Sequence, residues 1–147
     1  NNYGPWQNKE KLIPKIIFNA VNNLKIPIYG DGENIRDWLY VEDHVTGLLK
    51  VLKYGKIGQK YCIGGNQEKT NNEVANKICE FIDKISPKNN SHKQLITYVE
   101  DRLGHDKRYA INPLKIKTEL DWEPSFTFDK AIEITTTWYV NKFKKLS

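Results

Sequence analysis

Arg36 is the side chain in this sequence best suited to gripping an anion. It lies in I-R-D-W-L-Y-V-E-D-H (residues 35–44), beside Asp37 and ahead of the acidic pair Glu42-Asp43. A guanidinium offers parallel donors that match phosphate oxygens, and it keeps its charge when half-buried. The same residue types also permit an ordinary ion pair of Arg36 with Asp37 or Glu42. A second group, D-R-L-G-H-D-K-R (101–108), gathers Asp101, Arg102 and His105 around Gly104. It suits either a diphosphate grip or a surface ion-pair loop. A third, N-N-Y-G-P (1–5), presents the carboxamides of Asn1 and Asn2, able to read hydroxyls or another amide, or else forms a simple turn. The chemistry common to the three is binding of a phosphorylated, hydroxyl-rich small molecule.

Other chemistries find less support. No G-x-G-x-x-G follows a strand, and P-loop, H-E-x-x-H and nucleophile-elbow motifs are missing from the sequence. Gly30-x-Gly32 is a turn rather than a phosphate cradle. His44, His92 and His105 are too scattered to be metal ligands by spacing. Cys62 and Cys79 also lack ligand spacing, and their apolar surroundings predict buried, reduced thiols in a cytoplasmic protein. The net charge of +5 raises nucleic acid as a partner. Lysines alternate with acids along most of the chain, however, and the one dense basic run is Lys142 to Lys145, so a solvated lysine-rich surface is expected instead. No apolar run of about 18 residues is present, so no membrane span is expected. The opening N-N-Y-G-P-W-Q-N-K-E is not a signal peptide, and the lack of any Met suggests a piece of something longer.

The elements that would position these groups alternate between helix and strand over 147 residues, about one domain. Pro14 suits a first helical turn, and Ile16, Ile17, Ala20, Val21 and Leu24 make a helical stripe ending near Asn23. Ile26–Tyr29 and Ile35–Tyr40 read as extended segments around the Gly30–Asn34 turn, and the pair resembles a hairpin. Val41 to His44 opens a helix with Val45, Leu48, Leu49 and Leu52 as its buried stripe, closed by Gly55 and Gly58. Lys60–Gly65 is expected to be a strand. Asn71 or Asn72 is a candidate cap for a helix carrying Val74, Ile78, Phe81, Ile82 and Ile85, stopped by Pro87. After the polar loop 88–93, the pattern predicts a strand over Leu95–Val99 and a short extension at Tyr109–Ile111. A short helix follows over Pro113–Leu120, then a last one from about Phe128 to Phe143 with Thr127 as a possible cap. Trp38 and Trp122 are expected to pack rather than to stack on a ligand. The fold class is mixed α/β without internal repeat.

In order, N-N-Y-G-P, E-K-L-I-P, P-I-Y-G-D-G, I-R-D-W-L-Y-V-E-D-H, Y-C-I-G-G-N and D-R-L-G-H-D-K-R-Y-A-I resemble the C-terminal half of the dTDP-glucose 4,6-dehydratases. These are extended short-chain dehydrogenase/reductases of the NAD(P)-binding Rossmann-like superfamily. The likeness spans essentially residues 1–147 as a substrate-binding region, with I-R-D-W-L-Y-V-E-D-H as its most specific element. It implies an α/β portion whose dinucleotide-binding part lies upstream, together with that part's Tyr-x-x-x-Lys pair and acid/base set. It implies NAD contact by Asn1 and sugar-phosphate contact by Asn2. Lys11 and Leu12 would line the nucleotide pocket, Pro27, Ile28 and Tyr29 would surround the thymine, and Arg36 and Arg102 would grip the diphosphate. Asn71 would contact the nucleotide, and His105, with the loop from Asp101, would close over it. Leu103 departs from the more usual proline and implies a looser loop. The parent reaction converts dTDP-glucose to the 4-keto-6-deoxy sugar, in deoxysugar and lipopolysaccharide biosynthesis, by a cytoplasmic homodimer. A UDP-sugar dehydratase or epimerase, or a non-catalytic nucleotide-sugar-binding module, is the alternative. Severed from a cofactor domain, the helix from Val41 and the segment at Tyr61 would expose apolar surface, leaving a marginally stable or self-associating fragment.

Overall fold

The computed structural model describes residues 1–144. The elements in chain order are β1 (Asn2–Tyr3), α1 (Leu12–Val21), β2 (Ile26–Tyr29), β3 (Ile35–Asp37), β4 (Leu39–Tyr40), α2 (Val41–Tyr54), β5 (Glu68–Thr70), α3 (Asn71–Ile85), β6 (Ile96–Val99), β7 (Arg108–Tyr109), α4 (Leu114–Leu120) and α5 (Phe128–Lys144), with a 3-10 turn at His92–Leu95. The last residue of the basic run, Lys145, lies outside the described residues.

Three helices make the main layer. α1, α3 and α5 pack on one another, and β2 lies against α1. Their apolar faces, with Ile16, Ile17, Ala20, Ile78, Ile82 and Ile132 each at most 1% exposed, form one core with Tyr3, Trp38 and Tyr40. The helical spacing of these residues makes the face, and its removal from water is the main stabilising term. Thr70, not Asn71 or Asn72, caps α3. Its Oγ1 accepts from Glu73 N at 3.0 Å, and Glu73 Oε2 accepts from Thr70 N at 2.7 Å. That reciprocal pair satisfies two otherwise orphaned donors. A second, smaller core joins Leu39, Ile116, Leu120 and Trp122 between α2 and α4.

The strands form three short ladders rather than one sheet: β1 with β4, β2 with β6, and β5-β3-β7. The expected hairpin of β2 and β3 does not form. β2 runs parallel to β6, with Ile28 opposite Tyr98, while β3 pairs antiparallel with β5 and parallel with β7. The turn between them is real, with Gly30 at φ 59° and Gly32 at φ 75°, but it sends the two strands into different ladders. The expected strand at Lys60–Gly65 is irregular backbone, and the pairing in this region is taken by Glu68–Thr70.

The apolar stripe of α2 is not buried. Val45, Leu48, Leu49 and Leu52 are 48%, 52%, 58% and 83% exposed. Only Asp43 and Gly47 of this helix are buried, because α2 touches the rest of the chain mainly through β4 and α4. A contiguous apolar face of this kind promotes association. The chain is therefore expected to self-associate at tens of micromolar (~10⁻⁵ M) in sedimentation velocity, and Leu48→Glu with Leu52→Glu is expected to return it to monomer. A monomeric wild type at every concentration would contradict the expectation. Cys79 is buried as expected, and burial pushes its thiol up to about 12. Cys62 is exposed, contrary to expectation, because it sits in the irregular segment before Gly64 rather than in a core strand.

Candidate functional site

A cleft of about 510 Å³, within the range of small-molecule sites, is lined by residues from all three ladders, by the segment leading into α1 with that helix's first turn, and by the loop at 102–105. Its lining includes Asn1, Asn2, Lys11, Leu12, Pro27, Tyr29, Arg36, Asn71, Arg102 and His105. Two of the residues singled out in the sequence are placed differently. Ile28 is fully buried, because strand alternation turns its side chain into the core while Pro27 and Tyr29 take the other face. Asp101 stands behind the lining and supports it.

Arg36 is held in the middle strand of the β5-β3-β7 ladder, opposite Lys69 on one side and Tyr109 on the other. It is half-buried and donates from Nη1 to the Ile35 carbonyl at 2.7 Å. The ion pair with Asp37 or Glu42 is not made. The Asp37 carboxylate is occupied by backbone donors, Gly65 N at 3.0 Å and Gln67 N at 2.8 Å. Among the described residues no carboxylate lies within ion-pair distance of Arg36 or Arg102.

Arg102 stacks over the Tyr29 ring, its guanidinium carbon 5.2 Å from the centroid. It also contacts His105, with Nη2 2.9 Å from Nε2, while His105 Nδ1 lies 2.7 Å from Asp101 Oδ1. The hydrogen bond from His105, more than any other cause, holds the Asp101 carboxyl below its usual range. Gly30 lets this loop approach, since a Cβ there would sit 2.9 Å from Asp101 Oδ2. Leu103 at the loop tip is fully solvent-exposed and packs on nothing.

On the opposite wall, β1 carries Asn2, whose side-chain amide meets His44 Nδ1. Burial, then the nearby amino terminus, lowers the pKa of His44. Gln7 Nε2 donates to the Asn2 carbonyl at 2.8 Å, and Tyr139 Oη donates to the Gln7 carbonyl at 2.8 Å, so α5 fixes the loop that forms this wall. Lys11 precedes α1, and Leu12 begins it. Asn71 opens α3 with only 8% exposure. Residue-level reasoning missed Gln7, Asn8, Glu10, Ile13 and Lys15, which also line the cleft, while Trp38 packs in the core as expected and borders the cleft as well. The i, i+2 spacing of Arg36 and Trp38 would have put the tryptophan on the arginine's side.

The cleft therefore has a cationic grip of Arg36, Arg102 and Lys11, an aromatic surface at Tyr29, and carboxamides at Asn1, Asn2 and Asn71. That set can clamp phosphate oxygens bidentately and orient hydroxyls and a ring beside them. Among the described residues no group of three His, Cys, Asp or Glu side chains is arranged to hold a metal ion, and no helix is long and apolar enough to cross a membrane.

The architecture is that of part of an extended short-chain dehydrogenase/reductase, in the NAD-binding Rossmann-like superfamily. Residues 1–135 match the GDP-mannose 4,6 dehydratase family, and the chain belongs to that family. It is 52% identical over 140 residues to the dTDP-glucose 4,6-dehydratase of Shigella flexneri, covering 95% of this chain and 39% of that protein. With dTDP-glucose 4,6-dehydratase 1 of Escherichia coli strain K12 the identity is 51% over 144 residues, covering 98% and 40%. Among solved structures, the Bacillus anthracis dTDP-glucose 4,6-dehydratase in complex with NAD superposes with a TM-score of 0.88 at 47% identity, over 98% of this chain and 43% of that one. The Streptomyces venezuelae enzyme of the same name, solved with NAD and a second ligand, gives 0.87 at 36% identity, over 99% and 43%. A UDP-glucose 4-epimerase from Thermotoga maritima, at 23% identity and a TM-score of 0.82 over 100% and 45%, shares the fold. The chain spans about 40% of the length of the curated relatives it matches.

Proposed function

We propose that this chain is the substrate-binding portion of a dTDP-glucose 4,6-dehydratase and that its cleft holds the nucleotide diphosphate of dTDP-glucose. The observation that carries the reading is the convergence of Arg36 and Arg102 on one cleft with neither guanidinium committed to a carboxylate. In this reading the two arginines grip the pyrophosphate. Pro27 and Tyr29 flank the base, Asn71 and Lys11 hold the nucleotide, and Asn2 reaches the sugar side. NAD, when bound, supplies the hydride acceptor. The fit on this chain rests on Asn1, an exposed carboxamide at the cleft rim, able to donate to and accept from another amide. Hydride and proton transfer belong to groups outside the chain. Its own share of catalysis is to hold the sugar nucleotide in register with them, a contribution that comes from orientation rather than bond making.

Calorimetric titration of dTDP tests the reading. Arg36→Ala is expected to weaken binding by about 10- to 100-fold, the worth of a charge-assisted bidentate contact. UDP is expected to bind more weakly than dTDP. Equal affinity of the variant and the wild type, or no dTDP binding by the wild type, would overturn the assignment. Tighter binding of UDP would move the substrate to a UDP sugar.

A further inference from the structure

The contacts of His105 select one tautomer of its neutral ring. Arginine has only donors, so His105 Nε2, 2.9 Å from Arg102 Nη2, must accept. The ring's proton then sits on Nδ1, which donates to Asp101 Oδ1 at 2.7 Å. A neutral imidazole of this one tautomer thus links Asp101 to Arg102, and its side chain is only 6% exposed. The guanidinium also lies over the face of Tyr29, 5.2 Å from the ring centroid. A flexible arginine on an exposed loop is thereby aimed.

We infer that His105 is a positioning residue that holds Arg102 over Tyr29 only while its imidazole is neutral, so that diphosphate capture by this cleft weakens as the ring takes up a second proton. This rests on the nucleotide-sugar reading of the cleft. A second proton turns Nε2 from an acceptor into a donor facing a donor, and sets imidazolium against guanidinium. Asp101 then pairs with the imidazolium, and Arg102 is released. The other titratable side chains lining the same cleft are Tyr29 on β2, Arg36 on β3, Glu10 and Lys11 before α1, and Lys15 in its first turn. The added positive charge also attracts a phosphate, but that attraction is screened at physiological salt, whereas the lost charge-assisted contact is not replaced.

The probe is dTDP-glucose, whose diphosphate is esterified at both ends and keeps its charge across the range, unlike dTDP, whose terminal phosphate titrates near pH 6. Its affinity is measured by calorimetry from about pH 8 to about pH 5 at constant ionic strength. The wild type is expected to lose about tenfold in affinity across that interval, the effect of one misplaced charge-assisted contact. His105→Ala is expected to bind weakly at every pH. His105→Gln, whose carboxamide can accept from Arg102 and donate to Asp101, is expected to recover part of that loss with a flat pH profile. Arg102→Ala is expected to be weak and flat. A pH dependence that persists in His105→Gln or in Arg102→Ala, or affinity that rises as pH falls, overturns the positioning role alone. No binding of dTDP-glucose by the wild type at about pH 8 overturns the nucleotide-sugar reading beneath it.

Discussion

Asp37→Asn is expected to lower the free energy of unfolding by about 2–4 kcal/mol, read as a lower urea midpoint at unchanged slope. Asp37 is only 4% exposed, and each carboxylate oxygen accepts from a different backbone donor, Gly65 N on Oδ2 and Gln67 N on Oδ1. An amide keeps the shape but turns one of those oxygens into an NH₂ that faces a backbone N–H. Two donors then confront each other in a site that water does not reach. A longer side chain offers no escape, since Gly64 already lies so near that a Cβ there would sit 2.8 Å from Asp37 Oδ2. The damage reaches the cleft, because Asp37 follows Arg36 on the same strand and anchors the end of its ladder. An unchanged midpoint would show that this carboxylate does not hold the strand.

Gly65→Ala is expected to do more harm, costing upward of about 3 kcal/mol or preventing folding altogether. A Cβ on Gly65 would lie 2.0 Å from the Trp38 carbonyl oxygen and 2.8 Å from its carbon. Both are main-chain atoms between β3 and β4, so neither can swing aside as a side chain would. Gly58→Ala provides the comparison. Gly58 has φ 79° and nothing within 4 Å, so alanine there meets strain without collision and is expected to cost about 1–2 kcal/mol. Equal melting temperatures for the two variants would mean that the close approach of Gly65 to β4 is relieved by backbone movement.

Local patterns in the chain foretold its helices better than its strand pairing. The stripes of α1, α3 and α5 and the stop after α3 are visible because helical contacts recur within a few residues. Pairing of β2 with β6, and of β3 with β5 and β7, joins segments about 70 and 30 to 70 residues apart, which no local period encodes. The turn glycines at 30 and 32 suggested a hairpin because a turn says where the chain bends, not which strand comes to lie beside it. α2 misled in another way. Its amphipathic stripe is real, but periodicity marks a face meant for burial without naming what buries it, and in this chain the face is open. The cleft residues were legible as types at Arg36, Arg102 and the asparagines. Their convergence came from the family likeness of motif order, since spacing left Arg36 an equally ordinary partner in Asp37. The tautomer-specific link through His105 depends on angles and distances between loop atoms, and the charge pattern alone held no trace of it.

The cleft draws strand residues from three separate ladders, each only two to four residues long, and the rest of its lining from loops and helix starts. A broad sheet would hold its binding loops at a pitch set by hydrogen bonds running from edge to edge. Here α1, α3 and α5 pack behind the ladders, against β2, β5 and β4 in turn, and so support the opening from below. A change of one methylene deep in that helical layer is therefore expected to alter the span between the two arginines. On the proposed reading of the cleft, buried Ile78 and Ile132 bear on ligand fit without reaching the ligand.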